Sequence, residues 1–408
     1  MGHGRLGERR RVAQLDGLRA LAVLAVMAQH SALSVGRGGL FGVDVFFVLS
    51  GFLITGVLMG EYERRGTFSL RRFYLRRWLR LYPALIVVIV CLMPIGVTLV
   101  PAHTWHQWLV GAGAAATYTS NVLDLVQGRL VQGPLDPTWS LAVEEQFYLL
   151  WPLALMGLLA LRLRLRWTLT IVLGAAVAGL SLFWLTYSAP TTVQPPLSLA
   201  GIEAYVRPDA RFGELLLGCA LSLILVRRRG PLPVSADRLL SAGVVVAIVG
   251  LILARSQYLQ TLEPGGGNPM AMIPVVAICS LLLIARLATN DRSLLSRGLA
   301  LSPLPQIGLI SYGLYLWHAP IFEVVHPNFL GIAHSEQLVQ WTLTFVAAYV
   351  SYRIVEQPFL RRKERLRSTP VAGLEAVSAG DPAPALAPAQ DAIGAQAAGE
   401  APRRRAHV

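Results

Sequence analysis

The chain has 408 residues, of which 54% are hydrophobic and only 14% are charged. Charged residues make up about a quarter of a typical soluble domain, so this composition excludes a soluble enzyme and indicates several membrane spans. The formal net charge of +13 does not require a nucleic acid partner. The basic residues lie in short segments between apolar stretches, where anionic lipid of the inner leaflet accounts for them.

Ten stretches have the roughly 20 mainly apolar residues that one helix needs to cross about 30 Å of hydrocarbon. A weaker stretch, 105–121, has histidines at its entry and many small residues, and we interpret it as an interfacial or re-entrant segment. The ten predicted spans are approximately 18–36, 40–60, 81–100, 139–160, 168–187, 209–226, 238–255, 270–288, 306–325 and 336–355.

The distribution of basic residues supports this count. With the amino terminus inside, the inner segments up to residue 367 carry 27 Lys and Arg residues and the outer segments carry 4, as expected when positive charge accumulates in short cytoplasmic loops. We therefore predict an all-α, polytopic bundle of about ten transmembrane helices in the inner (plasma) membrane, with both termini cytoplasmic. Residues 1–14 form a basic amino terminus, 15–362 the membrane domain, and 363–408 a tail whose Ala, Pro and Gly content predicts disorder.

Ionisable side chains within spans cost about 2.5–3.5 kcal/mol each on insertion, so each is a candidate for a functional site. In the first span, Arg19 lies at the inner mouth and His30 follows eleven residues later. This spacing places His30 about 16 Å deeper and within about 20° of the same helix face. The first span thus carries an inner cation and a buried imidazole in the outer half of the membrane. Asp44 enters near the outer end of the second span.

Later spans bring further polar groups to the same outer layer. The fourth span begins with Trp139 and Ser140 and soon reaches Glu144, and the ninth reaches His318 after Tyr315. The sixth span begins with Arg211 and Glu214, one turn apart.

Each of these groups also has a purely structural interpretation. His30 could bond a carbonyl in a packed core, Asp44 could cap its helix, and Arg211 with Glu214 could be an i,i+3 ion pair. At the inner end of the last span, Arg353 and Glu356 are interpreted as a structural pair. The meeting of independent helices at one depth favours a functional site for the others.

A neutral imidazole beside a carboxylate can take a proton from a hydroxyl, which is the usual requirement for acyl transfer to an alcohol. We predict His30 as the base, with Asp44 or Glu144 orienting it; the sequence leaves open which one, and whether an acyl-histidine forms. No metal is expected, because no span offers a His pair at i,i+4. Candidates for acceptor binding or oxyanion support are Trp139, Ser140, Arg211, Glu214, Tyr315 and His318.

On the inner side, residues 69–83 alternate arginine pairs with aromatics, as in an amphipathic helix on a membrane surface. Such a helix could anchor to anionic lipid, or dock a phosphorylated donor, to which arginine forks are suited. Both interpretations stay open. The donor-binding candidates are Arg19, Arg76, Arg77 and Arg80.

Several sequence blocks, in this order along the chain, resemble the acyltransferase-3 family of integral-membrane O-acyltransferases. The resemblance covers nearly all of residues 12–362. Its blocks are LDGLRA at 15–20 followed by His30, GVDVFFVLSGFLI at 42–54, RRWLRLYP at 76–83, WSLAVEEQFYLLWP at 139–152, RFGELLLG at 211–218, ISYGLYLWHAP at 310–320 and YRIVEQPF at 352–359.

The resemblance implies a ten-span fold and a cytoplasmic acyl-CoA donor, with acetyl-CoA the one expected here, which acts as a substrate and not as a bound cofactor. It implies O-acylation of a glycan, a lipid or a small glycoside, and a requirement for Arg19 and His30. Glu144 resembles the recurrent acid of the family, and Glu145 its more variable neighbour. Many relatives end in a further span and an esterase-like domain, which we do not expect here.

We therefore hypothesise a membrane enzyme that transfers an acetyl or short acyl group from cytoplasmic acyl-CoA to a hydroxyl on an extracytoplasmic or membrane-associated glycan, glycolipid or glycoside. Its expected partners are acyl-CoA, the hydroxyl acceptor and membrane lipids, with no nucleic acid. The alternative is a proton-coupled transporter or flippase, since buried His, Asp and Arg also line proton and substrate pathways. The sequence lacks the inverted repeat that is common in transporters.

Overall fold

The computed structural model describes residues 13–31, 36–99, 105–127, 133–187, 205–226, 228, 232–261, 269–325 and 335–359. All of them belong to the unit Met1–Glu364. These ranges contain helices and no strands, so the all-α prediction is confirmed for the described residues. The predicted tail, 363–408, and nearly all of the basic amino terminus lie outside them.

Each of the ten predicted apolar stretches overlaps a helix, although α1 ends at His30, before the predicted end of the first stretch, and the stretch 306–325 is divided between two helices. The last helix continues into a π-helical turn at Tyr352–Glu356. In chain order, the helices of the described ranges are α1 (Ala13–His30), α2 (Gly42–Arg65), α3 (Leu70–Leu99), α4 (Trp105–Ala116), α5 (Ser120–Gln127), α6 (Thr138–Ala160), α7 (Leu165–Tyr187), α8 (Pro208–Val226), α9 (Val234–Thr261), α10 (Ile273–Thr289), α11 (Leu294–Leu299), α12 (Leu304–Leu309), α13 (Ser311–Val324) and α14 (Ser335–Ser351).

Five segments of the described chain are long and apolar enough to cross a membrane, and they correspond to α2, α3, α7, α9 and α14. The apolar helix α10 is shorter, with 17 residues. The structure therefore supports a membrane protein, while the count of about ten spans and the cytoplasmic termini stay predictions. The five segments are Gly39–Arg65, Leu70–Pro94, Leu165–Thr186, Val234–Leu259 and Glu336–Phe359.

Helices α2 and α8 pack so closely that glycine is required at their crossing. A Cβ atom on Gly51 would lie 1.8 Å from the carbonyl oxygen of Leu215, and one on Gly218 would lie 1.9 Å from that of Val48. Asp44 and Arg211 each lie seven residues, or about two turns, before one of these glycines. The close crossing therefore brings the first turns of α2 and α8 together, and with them two side chains of opposite charge.

Candidate functional site

A cavity of about 190 Å³ lies among α1, α2, α3, α6 and α13. Phe46, Leu53 and Val57 of α2 form an apolar wall, since steps of seven and four residues keep side chains on one helix face. The facing wall, on α3, carries arginines. The cavity is therefore apolar on one side and cationic on the other.

Two of the cavity arginines are neutralised by acids. The Nη2 atom of Arg76 lies 3.1 Å from Oε2 of Glu61, which is buried. The Nε of Arg77 donates to Oε1 of Glu145 at 3.1 Å, and its Nη2 lies 3.8 Å from Oε2 of Glu144. These two predicted donor-binding residues thus already have counter-ions.

The other two cavity arginines, Arg19 and Arg80, have neither a hydrogen bond nor an ion pair with another residue of the described ranges. The negative charges of Asp16 and Glu144 interact with Arg19 at longer range. Guanidinium groups that line a cavity without a contacting acid are suited to bind an anionic ligand. The structure thus divides the four predicted donor-binding arginines into two that are paired and two that are open.

Near these open arginines lies Glu356, for which we predicted Arg353 as the ion-pair partner. Glu356, in the π-helical turn, interacts electrostatically with Arg80 and Arg19. It is only 5% exposed, and its Oε1 has no hydrogen-bond partner. Arg353, the predicted partner, is exposed and its guanidinium lies over the ring of Tyr349. The predicted Arg353–Glu356 pair is therefore wrong, because the π-helical turn directs the two side chains to different surroundings.

Glu144 lies on the cavity wall, at the level where α6 faces α2. Its Oε1 accepts a hydrogen bond of 2.8 Å from the hydroxyl of Ser50, and Arg77 lies on its other side. Neither of these contacts involves His30.

Ser140 and Tyr315 line the cavity, and their hydroxyl oxygens are 2.6 Å apart. The Tyr315 hydroxyl also lies within hydrogen-bond distance, 3.0 Å, of the Pro137 carbonyl oxygen. Behind the Tyr315 ring, with centroids 5.5 Å apart, lies the ring of His318. Since neither His318 nor His30 lines the cavity, the side chain of Tyr315 separates the cavity from the histidines.

His30 and His318 lie against each other, with ring centroids 5.0 Å apart and planes at 64°. The Nδ1 of His30 is 2.9 Å from the Val26 carbonyl oxygen, and the Nδ1 of His318 is 2.6 Å from that of Tyr315. A carbonyl oxygen can only accept, so each Nδ1 carries the proton and each neutral ring keeps a lone pair on Nε2. Both histidines can therefore act as proton acceptors through Nε2.

The two rings differ in access. His318 is fully buried, and its Nε2 has no hydrogen-bond partner. The side chain of His30 is the more exposed of the two, because α1 ends at His30 and the ring lies at the helix end. An acceptor hydroxyl could therefore reach His30 more readily than His318.

Asp44, Arg211 and Glu214 form a closed ionic cluster. Arg211 donates from Nη2 to Oδ1 of Asp44 at 2.8 Å, and its Nη1 lies 2.8 Å from Oε1 of Glu214. All three residues are 0% exposed. The Arg211 guanidinium is also surrounded by four aromatic rings, with centroids at 5.0 Å for Phe47, 5.3 Å for Tyr205, 5.7 Å for Phe183 and 5.8 Å for Trp139.

The predicted site residues thus fall into three groups: the arginine cavity, the histidine pair and the Arg211 cluster. The partners of Asp44 are in the Arg211 cluster, and those of Glu144 are in the cavity. The carbonyl of Val26, not a carboxylate, holds the His30 ring. In the part of the chain that the structure describes, no three His, Cys, Asp or Glu side chains are placed to bind a metal ion.

The chain has several relatives among characterised and named bacterial proteins. It is 34% identical over 368 residues to the peptidoglycan O-acetyltransferase OatA of Listeria monocytogenes, covering 86% of this chain and 56% of the relative. It is 32% identical over 371 residues to the putative peptidoglycan O-acetyltransferase YrhL of Bacillus subtilis, covering 86% and 55%. For the O-acetyltransferase OatA of Staphylococcus aureus, the identity is 32% over 361 residues, covering 86% and 57%.

The chain therefore spans a little over half the length of these relatives. No solved structure matches it. Residues 12–352 match the acyltransferase domain that defines the acyltransferase-3 family. The match covers most of the chain and includes the cavity arginines and both histidines. The chain therefore belongs to this acyltransferase family.

Proposed function

We propose that this protein is a membrane O-acyltransferase that moves an acetyl or short acyl group from cytoplasmic acyl-CoA to a hydroxyl of an extracytoplasmic glycan. The observation that carries the proposal is a cavity with two open arginines, Arg19 and Arg80, whose lining residue Tyr315 lies against the His30–His318 pair. Membership of the family supports acyl transfer. The names of the relatives make peptidoglycan the first acceptor to test.

The cavity suits the donor in both charge and length. The phosphates of coenzyme A bind Arg19 and Arg80, whose guanidinium groups need an anion. The pantetheine arm then extends along the cavity toward Tyr315. Eleven residues of α1 separate Arg19 from His30, a helical rise of about 16 Å, which an extended pantetheine arm can span. One buried reaction centre can therefore serve a donor from one side and an acceptor from the other.

The acyl group reaches His30 only after the Tyr315 side chain moves. Its hydroxyl is held by Ser140 and by the carbonyl of Pro137, contacts that a donor can displace. The released hydroxyl can then donate to the oxyanion that develops on the thioester carbonyl. We therefore assign Tyr315 two roles: its side chain separates the cavity from the histidines, and its hydroxyl donates a hydrogen bond to the oxyanion.

At the histidine pair, Nε2 of His30 takes the proton of the acceptor hydroxyl while the hydroxyl oxygen attacks the thioester carbonyl carbon. The carbon–sulfur bond then breaks, and the imidazolium returns the proton to the coenzyme A sulfur, giving an ester and a free thiol. The carbonyl of Val26 orients the ring throughout.

The test is acetyl transfer by the purified chain in nanodiscs, using radiolabelled acetyl-CoA and soluble peptidoglycan fragments. His30→Ala should lower turnover about 10²–10⁴-fold, the usual contribution of a general base. The matched control is His106→Ala, which removes an exposed histidine of α4 and should leave turnover unchanged.

Two results would count against the proposal. Equal turnover by wild type and His30→Ala would remove the assigned base. A folded wild-type protein that neither binds nor consumes any acyl-CoA would refute the acyltransferase activity and favour the transporter alternative.

A further inference from the structure

The cavity is partly open, and the exposed residues of its lining lie on α2, which borders it together with α3. The two helices are tied at one end by the ion pair of Glu61 with Arg76, and beyond it they line opposite walls of the cavity. Leu53 and Val57, on the α2 wall, are 38% and 54% exposed. Both helices belong to the five segments that can cross a membrane. An opening between two such helices, lined by exposed apolar side chains, faces lipid.

The α2 wall has the length of one lipid leaflet. From Phe46 to Val57 the helix rises about 16 Å, and half of a hydrocarbon core of about 30 Å is about 15 Å. The same cavity is lined by Arg19 and Arg80, which have no ion pair within the described chain. Positive charge in a cavity with an apolar wall of this length matches an anionic head group joined to an alkyl chain.

We propose that the cavity admits an anionic phospholipid of the surrounding bilayer through an opening between α2 and α3. Its phosphate contacts Arg19 and Arg80, and one acyl chain lies along Phe46, Leu53 and Val57. A small anion would use only the arginines and leave this apolar wall without a partner. Lipid binding rests on the cavity alone; its consequence, competition with the phosphorylated donor for the same arginines, rests on the proposed function.

The experiment is native mass spectrometry of the full-length protein in detergent, titrated with phosphatidylglycerol or with phosphatidylcholine of the same chains. The wild-type protein should retain phosphatidylglycerol in preference to phosphatidylcholine. Arg19→Gln and Arg80→Gln should each weaken this binding about tenfold, because each removes a charge-assisted contact. Arg238→Gln, at an exposed arginine of α9, should bind as wild type does.

A second pair of variants tests the opening without touching the arginines. Val57→Trp fills the opening from a position that is 54% exposed and should abolish selective binding. Val90→Trp adds the same bulk at a 60% exposed position of α3 outside the cavity lining and should have no effect. Soluble glycerol 3-phosphate should not displace the lipid, whereas coenzyme A should.

Equal retention of the two lipids, unchanged binding by Val57→Trp, or displacement by glycerol 3-phosphate would each overturn the lipid site. Acetyl-CoA turnover measured on the same preparations separates the two proposals. Selective lipid binding without acetyl-CoA turnover would support the lipid site and refute the proposed enzyme activity. Turnover without lipid selectivity would support the enzyme activity and refute the lipid site.

Discussion

Replacing Arg211 with Met should destabilise the protein by about 3–5 kcal/mol. The guanidinium is the ion-pair partner of both Asp44 and Glu214, and all three residues are fully buried. Removing it leaves two carboxylates in a low-dielectric interior without a cation, and breaking a buried pair in this way costs about 3–5 kcal/mol. The change corresponds to roughly 10²–10⁴-fold in the unfolding equilibrium, at about 1.4 kcal/mol for each factor of ten.

The assay is equilibrium unfolding of the purified protein in mixed micelles. Combining Arg211→Met with Asp44→Asn and Glu214→Gln should recover most of the loss, because it removes the unpaired charges. The control, Arg207→Met, breaks a partly exposed ion pair with Asp209 and should cost at most about 1 kcal/mol. An Arg211→Met protein as stable as wild type that has lost activity would refute this reasoning and return Arg211 to the acceptor-binding role predicted from the sequence.

Three further predictions follow from packing, charge and pH. Gly218→Ala should cost about 1–3 kcal/mol in chemical unfolding, since its Cβ would overlap a carbonyl oxygen of the neighbouring helix, whereas Gly157→Ala, with open space around it, should not destabilise. Glu356→Gln should tighten coenzyme A binding severalfold in calorimetry by removing an acid near the open arginines; weaker binding would show that the acid positions them. Burial raises the pKa of the Asp136 carboxyl to about 8, so the folded protein holds a proton that the unfolded chain releases near pH 4. Stability should therefore fall as pH rises from about 4 to 8, and a fall that Asp136→Asn does not flatten would contradict the assignment.

Much of the helical architecture was predictable, because length and apolar composition determine which segments become long helices. Each predicted stretch overlaps a helix. The number that cross the membrane was harder to establish, since α13 has only 14 residues and α8 carries the polar side chains of Arg211 and Glu214. Their burial comes from tertiary packing, which sequence periodicity does not report.

The partners of the site residues were less predictable than the residues themselves. A histidine beside a carboxylate was the expected arrangement, but the carboxylate of Asp44 contacts Arg211 because the glycines of α2 and α8 bring those two turns together. His30 and His318 are far apart in the sequence but lie against each other in the fold. No local pattern encodes such a contact. The π-helical turn that carries Glu356 toward the cavity also has no signal in the sequence.

The central claim is that one reaction centre joins a donor on one side of the membrane to an acceptor on the other. The most direct measurement uses proteoliposomes with a single protein orientation, radiolabelled acetyl-CoA outside and peptidoglycan fragments sealed inside. With the cytoplasmic face outward, we expect labelled ester inside the vesicles for the wild type and none for His30→Ala. Wild-type vesicles that consume acetyl-CoA but label fragments only when these are added to the outer solution would contradict it.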